Sequence, residues 1–462
     1  MEFKPHEYQS RAIRFIINTP YCALFLGMGL GKTVTTLTAI KKLKDLGDAK
    51  RVLIVAPKVV AESTWNTECA KWDHLRDMRT SLILGTKAQR ARALATPSDL
   101  YITSRDLFSK VVTGCNVFDM IVIDELTSFK SSTSERFKAF KKIRPHLSRV
   151  VGLTGTPSPN SLVDLWAQIY CIDLGERLGK YKTHYLDKYF EVYRVNNIPI
   201  KIKLKAGSAE EITKSISDIC LSMQAKDYLT LPKISYKDVF ITLPPSLQKK
   251  YKTFERENVY ELSGSTVLAS SAASLCNKLG QFSNGAIYDA EHNANALHSC
   301  KLDALREILE RAHNEGDNVL VFYQYQFDST RILELCEEMK LRARKYENSS
   351  DLEAWNSQKI DVLVSHPAST AYGLNLQRGG RVCVWYGTGW NCELYEQGNA
   401  RLYRQGQTRP VLVYNLIILN TVDEQARAAI EHKTNTQAAM MQLLKQKEKE
   451  YGKIQEPKRS SI

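Results

Sequence analysis

Five apolar runs in the first half of the chain, "YCALFL", "RVLIVAP", "DLYITS", "MIVIDE" and "RVVGLTGT", each end in a polar or glycine-containing turn. Each gives way to residues spaced for a helix. Val/Ile/Leu runs without polar alternation must be covered on both faces. A chain that alternates them with helices meets that demand with a parallel sheet between helical layers. The second half repeats the pattern in "NVLVFYQ", "IDVLVSHP", "RVCVWYG" and "PVLVYNLI". At 462 residues the chain exceeds what one core supports, so two α/β domains are expected. The first is placed at residues 1–172 and the second at 241–427. Between them, residues 173–240 are rich in Tyr and Lys and carry weaker strand signals. From Thr421 the sequence reads as one long helix that runs into a polar tail, so residues 428–462 are set apart.

Apolar residues at 43% and charged residues at 25% describe a globular protein, and no apolar run is long enough for a membrane span. Met1 opens onto "EFKPHEYQSR", which is not a secretion signal. Ten cysteines are scattered singly, which points to reduced thiols in a cytoplasmic setting and away from structural zinc. A net charge of +14 suits a polyanionic partner, nucleic acid first, although a solvated basic surface accounts for it equally well.

The run "YCALFL" leads into "GMGLGKT" and then into helical spacing, the strand–loop–helix context of a phosphate loop. In such a loop Gly27, Met28, Gly29, Leu30 and Gly31 wrap the phosphates. Lys32 reaches the β- and γ-phosphates of ATP, and Thr33 holds Mg2+ through its hydroxyl. Leu26 breaks the strict pattern, which wants glycine there. About ninety residues on, Asp124 and Glu125 end a buried strand, where ligands bind in open α/β sheets. Asp124 is placed to orient Mg2+ through its water shell, and Glu125 to polarise the attacking water. A solvated turn is the plainer reading of two such acids. Thr154, Gly155 and Thr156 follow another strand and could relay phosphate state, or simply form a turn. Far downstream, Arg401 and Arg404 are spaced for one helical face with Gln397 one turn before. Paired arginines suit the oxygens of a transferring phosphoryl group, and equally a solvated basic helix.

Taken in order, "GMGLGKT", "DEL" and "LTGTP" resemble motifs I, II and III of a superfamily-two helicase of the Swi/Snf type. "HEYQSRAI" resembles the segment in which a glutamine, here Gln9, reads adenine. "APKVVAESTWNTECAKW" resembles a further family segment through Trp65, Asn66, Glu68 and Trp72. "STAYGLNLQ" resembles motif V through Gly373, Asn375 and Leu376. "YEQGNARLYRQGQ" resembles motif VI through Gln397, Arg401 and Arg404. The resemblance implies two tandem RecA-like parallel-sheet domains with a helical or irregular insert between them and a C-terminal helix. It implies ATP in the cleft, with Lys32, Thr33, Asp124 and Glu125 on one wall and Arg401 and Arg404 on the other. It also places Thr103, Ser104 and the segment from Ala61 to Trp65 along the nucleic-acid track. Leu26 becomes a mark of the lineage, whose phosphate loop has no glycine there. The chain departs from the family at Gly27, where an acid is usual, and at Thr127, where His is usual. Its short form and "DELTSFK" look most like the bacteriophage and prophage branch.

Outside the resemblance, Arg177 to Lys205 carries eight Lys/Arg against two acids, with Tyr181, Tyr185, Tyr189 and Tyr193 every four residues. That repeat fits a packed helix face, and less readily a base-stacking surface. "IPIKIKLK" alternates as a strand whose Lys201, Lys203 and Lys205 share a face suited to DNA. The expected activity is that of an ATP-dependent helicase or duplex-DNA translocase binding without sequence preference. An RNA helicase, or a DNA-binding scaffold with a silent ATPase, is the alternative.

Overall fold

A computed structural model describes residues 1–451 except 28, 114–116, 156–161, 196–197, 229–230, 264–267, 371–373 and 433–435. The chain divides into two compact units, one built on Met1–Thr230 and one on Leu231–Ala371 with Asn375–Ile462. The first contains β1 (Tyr21–Leu26), β2 (Val52–Ala56), β3 (Thr80–Ile83), β4 (Leu100–Ser104), β5 (Met120–Asp124) and β6 (Arg149–Thr154). A hairpin of β7 (Phe190–Val195) and β8 (Ile198–Leu204) follows, and then β9 (Cys220–Met223). Seven of these form one sheet in the order β3-β4-β2-β5-β6-β1-β9, with every pairing parallel.

Two-residue periodicity sends alternate side chains of each strand into opposite layers. In β1, Cys22, Leu24 and Leu26 join a core with the helices Glu7–Asn18 and Lys32–Asp45. Ala23 and Phe25 join a second core containing Phe137, Trp166 and Ile172. Leu26 is thus a strand residue with no exposed surface, and the phosphate loop begins at Gly27. A glycine at 26 would leave a hole in the first of these cores.

The Tyr/Lys-rich segment is shared between the units. Tyr185, Tyr189, Phe190 and Ile212 are buried in the first unit's core, and β9 extends its sheet beside β1. The tyrosine repeat is a packed helix face only at Tyr185 and Tyr189, in the helix Lys182–Tyr189. Tyr181 precedes that helix, Tyr193 lies in β7, and both are exposed.

The second unit contains β10 (Ile234–Ile241), the short pair β11 (Ala286–Tyr288) and β12 (Ala294–Ala296), β13 (Val319–Phe322), β14 (Ala343–Lys345), β15 (Val362–Ser365), β16 (Val382–Trp385) and β17 (Val411–Ile418). Its sheet runs β10-β17-β16-β13-β15-β14, again parallel throughout. The stretch after Thr421 is two helices, Val422–Glu431 and Thr436–Tyr451, where a single long one was expected. The first of them closes on its C-cap, His432, whose N–H still donates to the Ala428 carbonyl at 2.9 Å. Leu443 and Leu444 of the second helix are buried against the core of this unit. Among the described residues no helix is long and apolar enough to cross a membrane.

Candidate active site

Parallel register brings three motif ends together. Phe25 of β1 lies opposite Thr154 of β6, and Leu153 of β6 lies opposite Asp124 of β5. Lys32, which follows β1, Asp124 and Thr154 therefore issue from the C-terminal ends of neighbouring strands. Open α/β sheets take their ligands at this edge.

The phosphate loop is held from both sides. Gly27 N–H donates to the Met223 carbonyl of β9 at 2.9 Å. Gly29 and Gly31 adopt left-handed backbone, with φ of 86° and 72°, and Gly31 is the residue from which the helix Lys32–Asp45 starts. A Cβ on Gly31 would lie 2.6 Å from Gln9 Nε2. Gln9 itself is buried; its Oε1 accepts from His6 N–H at 3.0 Å and its Nε2 donates to the Leu30 carbonyl at 3.4 Å. The glutamine expected to read adenine thus also ties the first helix to the loop. Lys32 Nζ donates to the Leu26 carbonyl at 2.9 Å, which folds the ammonium back over the loop. Thr33 is half-buried in the first helical turn, and Met28 lies outside the described residues.

Asp124 and Glu125 are half-buried. Glu125 has φ 58° and ψ 67°, a left-handed conformation that costs a non-glycine residue roughly 1–2 kcal/mol. Backbone strain of this kind clusters at active sites and ligand clamps. Asp124 Oδ2 accepts a hydrogen bond from Trp65 Nε1 at 2.8 Å. Trp65 is fully buried and closes the π-helical turn Ala61–Trp65 that follows β2. Its indole therefore orients the acid expected to serve the metal, a link no spacing rule exposes. Thr127, in the family's usual histidine position, is buried in the short 3-10 turn Leu126–Phe129. Thr154 is buried and Gly155 half-buried; Thr156 lies outside the described residues.

Several expected nucleic-acid contacts do not fit their positions. Thr103 is fully buried with its hydroxyl donating to the Ile83 carbonyl, and Ser104 is buried beside it. Ala61 and Trp65 are buried too, leaving Glu62 and Ser63 as the exposed part of that turn. Lys205 Nζ donates to the carbonyls of Asp187 and Lys188, capping the end of the helix Lys182–Tyr189. Lys203 is exposed on β8, and Lys201 occupies the same strand.

In the second unit the helix Cys392–Asn399 stops before Arg401, so Arg401 and Arg404 sit in successive turns and not on a helical face. Gln397 is buried in that helix, and its carbonyl accepts from Arg401 Nε at 3.2 Å. Gly398 lets the helix lie against the sheet, since a Cβ there would come within 2.9 Å of Trp385. Motifs V and VI are tied through the backbone: Leu376 N–H donates to the Arg401 carbonyl at 3.3 Å. Gln407 Nε2 reaches the carbonyls of Gln377, Gly380 and Leu402. Gln407, unassigned from sequence, is therefore the clamp on the arginine turn. Asn375 is exposed, and Gly373 lies outside the described residues.

A polar network lies buried nearby in the same unit. Lys301 Nζ, with no exposed surface, pairs with Asp423 at 2.7 Å and donates to Asn284 Oδ1 at 2.8 Å. Asn284 Nδ2 in turn donates to Asp328 Oδ2 at 2.8 Å. Burial pushes the Asp328 carboxyl up to about 6, against the lowering effect of the Tyr325 and Gln324 N–H groups and Asn284.

Two tandem parallel-sheet units, the first ending its central strands in a phosphate loop and an Asp-Glu pair, define a RecA-like ATPase class. The SNF2-related domain family matches residues 8–284, and the chain belongs to it, as a superfamily-two motor of the Swi/Snf type. Protein p41 of Acyrthosiphon pisum secondary endosymbiont phage 1 is 33% identical, over 96% of this chain and 99% of its own length. An uncharacterized ATP-dependent helicase of Mycoplasma pneumoniae is 25% identical over 86% of this chain and 38% of its own. The DNA excision repair protein ERCC-6-like of Bos taurus is 25% identical over 91% and 40%. The chain thus spans less than half the length of these two cellular relatives, and nearly all of the phage protein.

Proposed function

We propose that this chain is an ATP-dependent DNA helicase or duplex-DNA translocase working in the cytoplasm, that of the host if the chain is phage-encoded. The carrying observation is the meeting of three motif ends on neighbouring strands, in a chain of the SNF2-related family. Two relatives, named as an uncharacterized ATP-dependent helicase and a DNA excision repair protein, support both halves of the reading. So does the net charge of +14, which favours a polyanion bound through its backbone.

The residues present fit ATP and magnesium. Left-handed Gly29 and Gly31, the latter at a helix N-terminus, suit a loop that turns its N–H groups to phosphate oxygens. Lys32 swings from the Leu26 carbonyl to the β- and γ-phosphates. Thr33 and Asp124 offer the oxygen donors a hard divalent cation takes, and magnesium there would neutralise phosphate charge. Glu125 accepts a proton from the attacking water, its backbone pre-aiming the carboxylate. Arg401 and Arg404 spread their positive charge over the transferring γ-phosphoryl, Arg401 steadied by the Gln397 carbonyl. Gln9 and residues 27–31 enclose the nucleotide, and Thr154 to Thr156, Gly373 and Asn375 relay its state to the DNA-facing surface.

ATP hydrolysis measured at matched salt with duplex, single strand, fork and RNA tests this. Stimulation by DNA, lowered at least about a hundredfold in Lys32→Ala, is expected. Stimulation by RNA in preference to every DNA, or a Lys32→Ala variant equal to wild type, would overturn it.

A further inference from the structure

The hairpin β7–β8 pairs with neither large sheet. Its register sets Phe190 opposite Leu204, Glu191 opposite Lys203, Val192 opposite Ile202 and Tyr193 opposite Lys201. Directly opposed residues share a face, so the ribbon has two chemically distinct sides. One side carries Phe190, Val192 and Leu204, which pack on the first unit's core. The other carries Glu191, Tyr193 and Lys203. The base of the ribbon is fixed: Lys205 N–H donates to the Tyr189 carbonyl at 3.0 Å, and Lys205 Nζ caps the preceding helix.

On the outward side Tyr193 is 51% exposed. Its hydroxyl donates to Glu191 Oε2 at 3.3 Å, which steadies the ring without covering it. A two-stranded ribbon gains nothing for its own stability from an uncovered aromatic ring. The ring shares its face with Lys203, within a stretch carrying eight Lys/Arg against two acids. A polyanion whose bases offer flat apolar faces matches both features at once.

We propose that the Tyr193 face of this hairpin is a stacking site for an unpaired DNA base, with Lys203 on an adjoining phosphate. This rests on the reading of the chain as a DNA motor and adds the form of DNA engaged. In an intact duplex each base face is already stacked, so the ring has a partner only at a fork, gap or displaced strand. The site is sequence-tolerant, because every base has a π-face.

The test is fluorescence titration of oligonucleotides bearing 2-aminopurine with the full-length chain, without ATP. Tyr193→Ala and Tyr193→Phe run alongside wild type, and matched melting curves establish that the variants are folded. Wild type and Tyr193→Phe are expected to quench the probe in single strands and forks. Tyr193→Ala loses the quench and binds those DNAs about five- to a hundredfold more weakly, with blunt-duplex affinity unchanged. Binding by Tyr193→Ala equal to wild type, or weakened alike on duplex and single strand, would overturn the site. A hairpin serving a protein partner gives the first of those results. A wild type that binds no DNA at all would instead overturn the motor reading on which the site rests.

Discussion

Gly31 cannot carry a side chain without moving Gln9, because the two meet where the phosphate loop enters its helix. Gly31→Ala meets two costs, a φ of 72° and a 2.6 Å contact with Gln9 Nε2. Together they are expected to destabilise the first unit by roughly 1–3 kcal/mol. In Gly31→Ala/Gln9→Ala the contact disappears and the backbone cost stays, so melting curves should show partial recovery. A double variant as unstable as the sum of the singles would contradict the contact. Trp65 acts on the same site through Asp124. Trp65→Phe keeps an aromatic filling and removes the donor to Asp124. Apparent magnesium affinity in ATP hydrolysis should weaken by about ten- to a hundredfold with nucleotide affinity little changed. Unchanged magnesium dependence would show that Asp124 is oriented without the indole.

Elements that had to be apolar on both faces were legible before any coordinates, and each of the nine continuous apolar runs is a strand. β3, β9, β10 and β14 were not, for they are short or lie at or near sheet edges, as in "TSLI" and "ISYKDVFI". These stretches are neither continuously apolar nor cleanly alternating, so neither strand signal marks them. The arginine turn was misread for a related reason. A three-residue spacing signals a helix only while the helix continues, and Asn399 ends this one. Trp65 bonds Asp124 across 59 positions of sequence, beyond any local rule. The buried network of the second unit is an element-scale prediction, since Lys301 joins the helices Cys300–Asn314 and Val422–Glu431 through Asp423. Lys301→Met leaves Asp423 charged, buried and unpaired, and should cost about 3–5 kcal/mol in urea unfolding. Asp328 predicts a pH effect. Its folded-state pKa, about 6, is above the ordinary 3.8, so the folded form holds its proton more tightly than the unfolded chain. Stability from this group is full below about pH 4 and is lost as pH rises to about 6. Asp328→Asn should flatten that part of the profile, and an unaltered slope would contradict the burial argument.

At the scale of the molecule, each unit contributes one kind of charge chemistry. The first carries the phosphate loop and carboxylates, the second an arginine turn clamped by Gln407. In the proposed function, ATP hydrolysis drives the chain along duplex DNA. Displacement of a third strand from a triplex tests it most directly, because displacement requires travel and not strand opening. Wild type with ATP should release the third strand. Lys32→Ala, Arg401→Ala and wild type with a non-hydrolysable analogue should leave it in place. Release that proceeds equally without hydrolysis, or no release from a chain that hydrolyses ATP on duplex, would contradict the account.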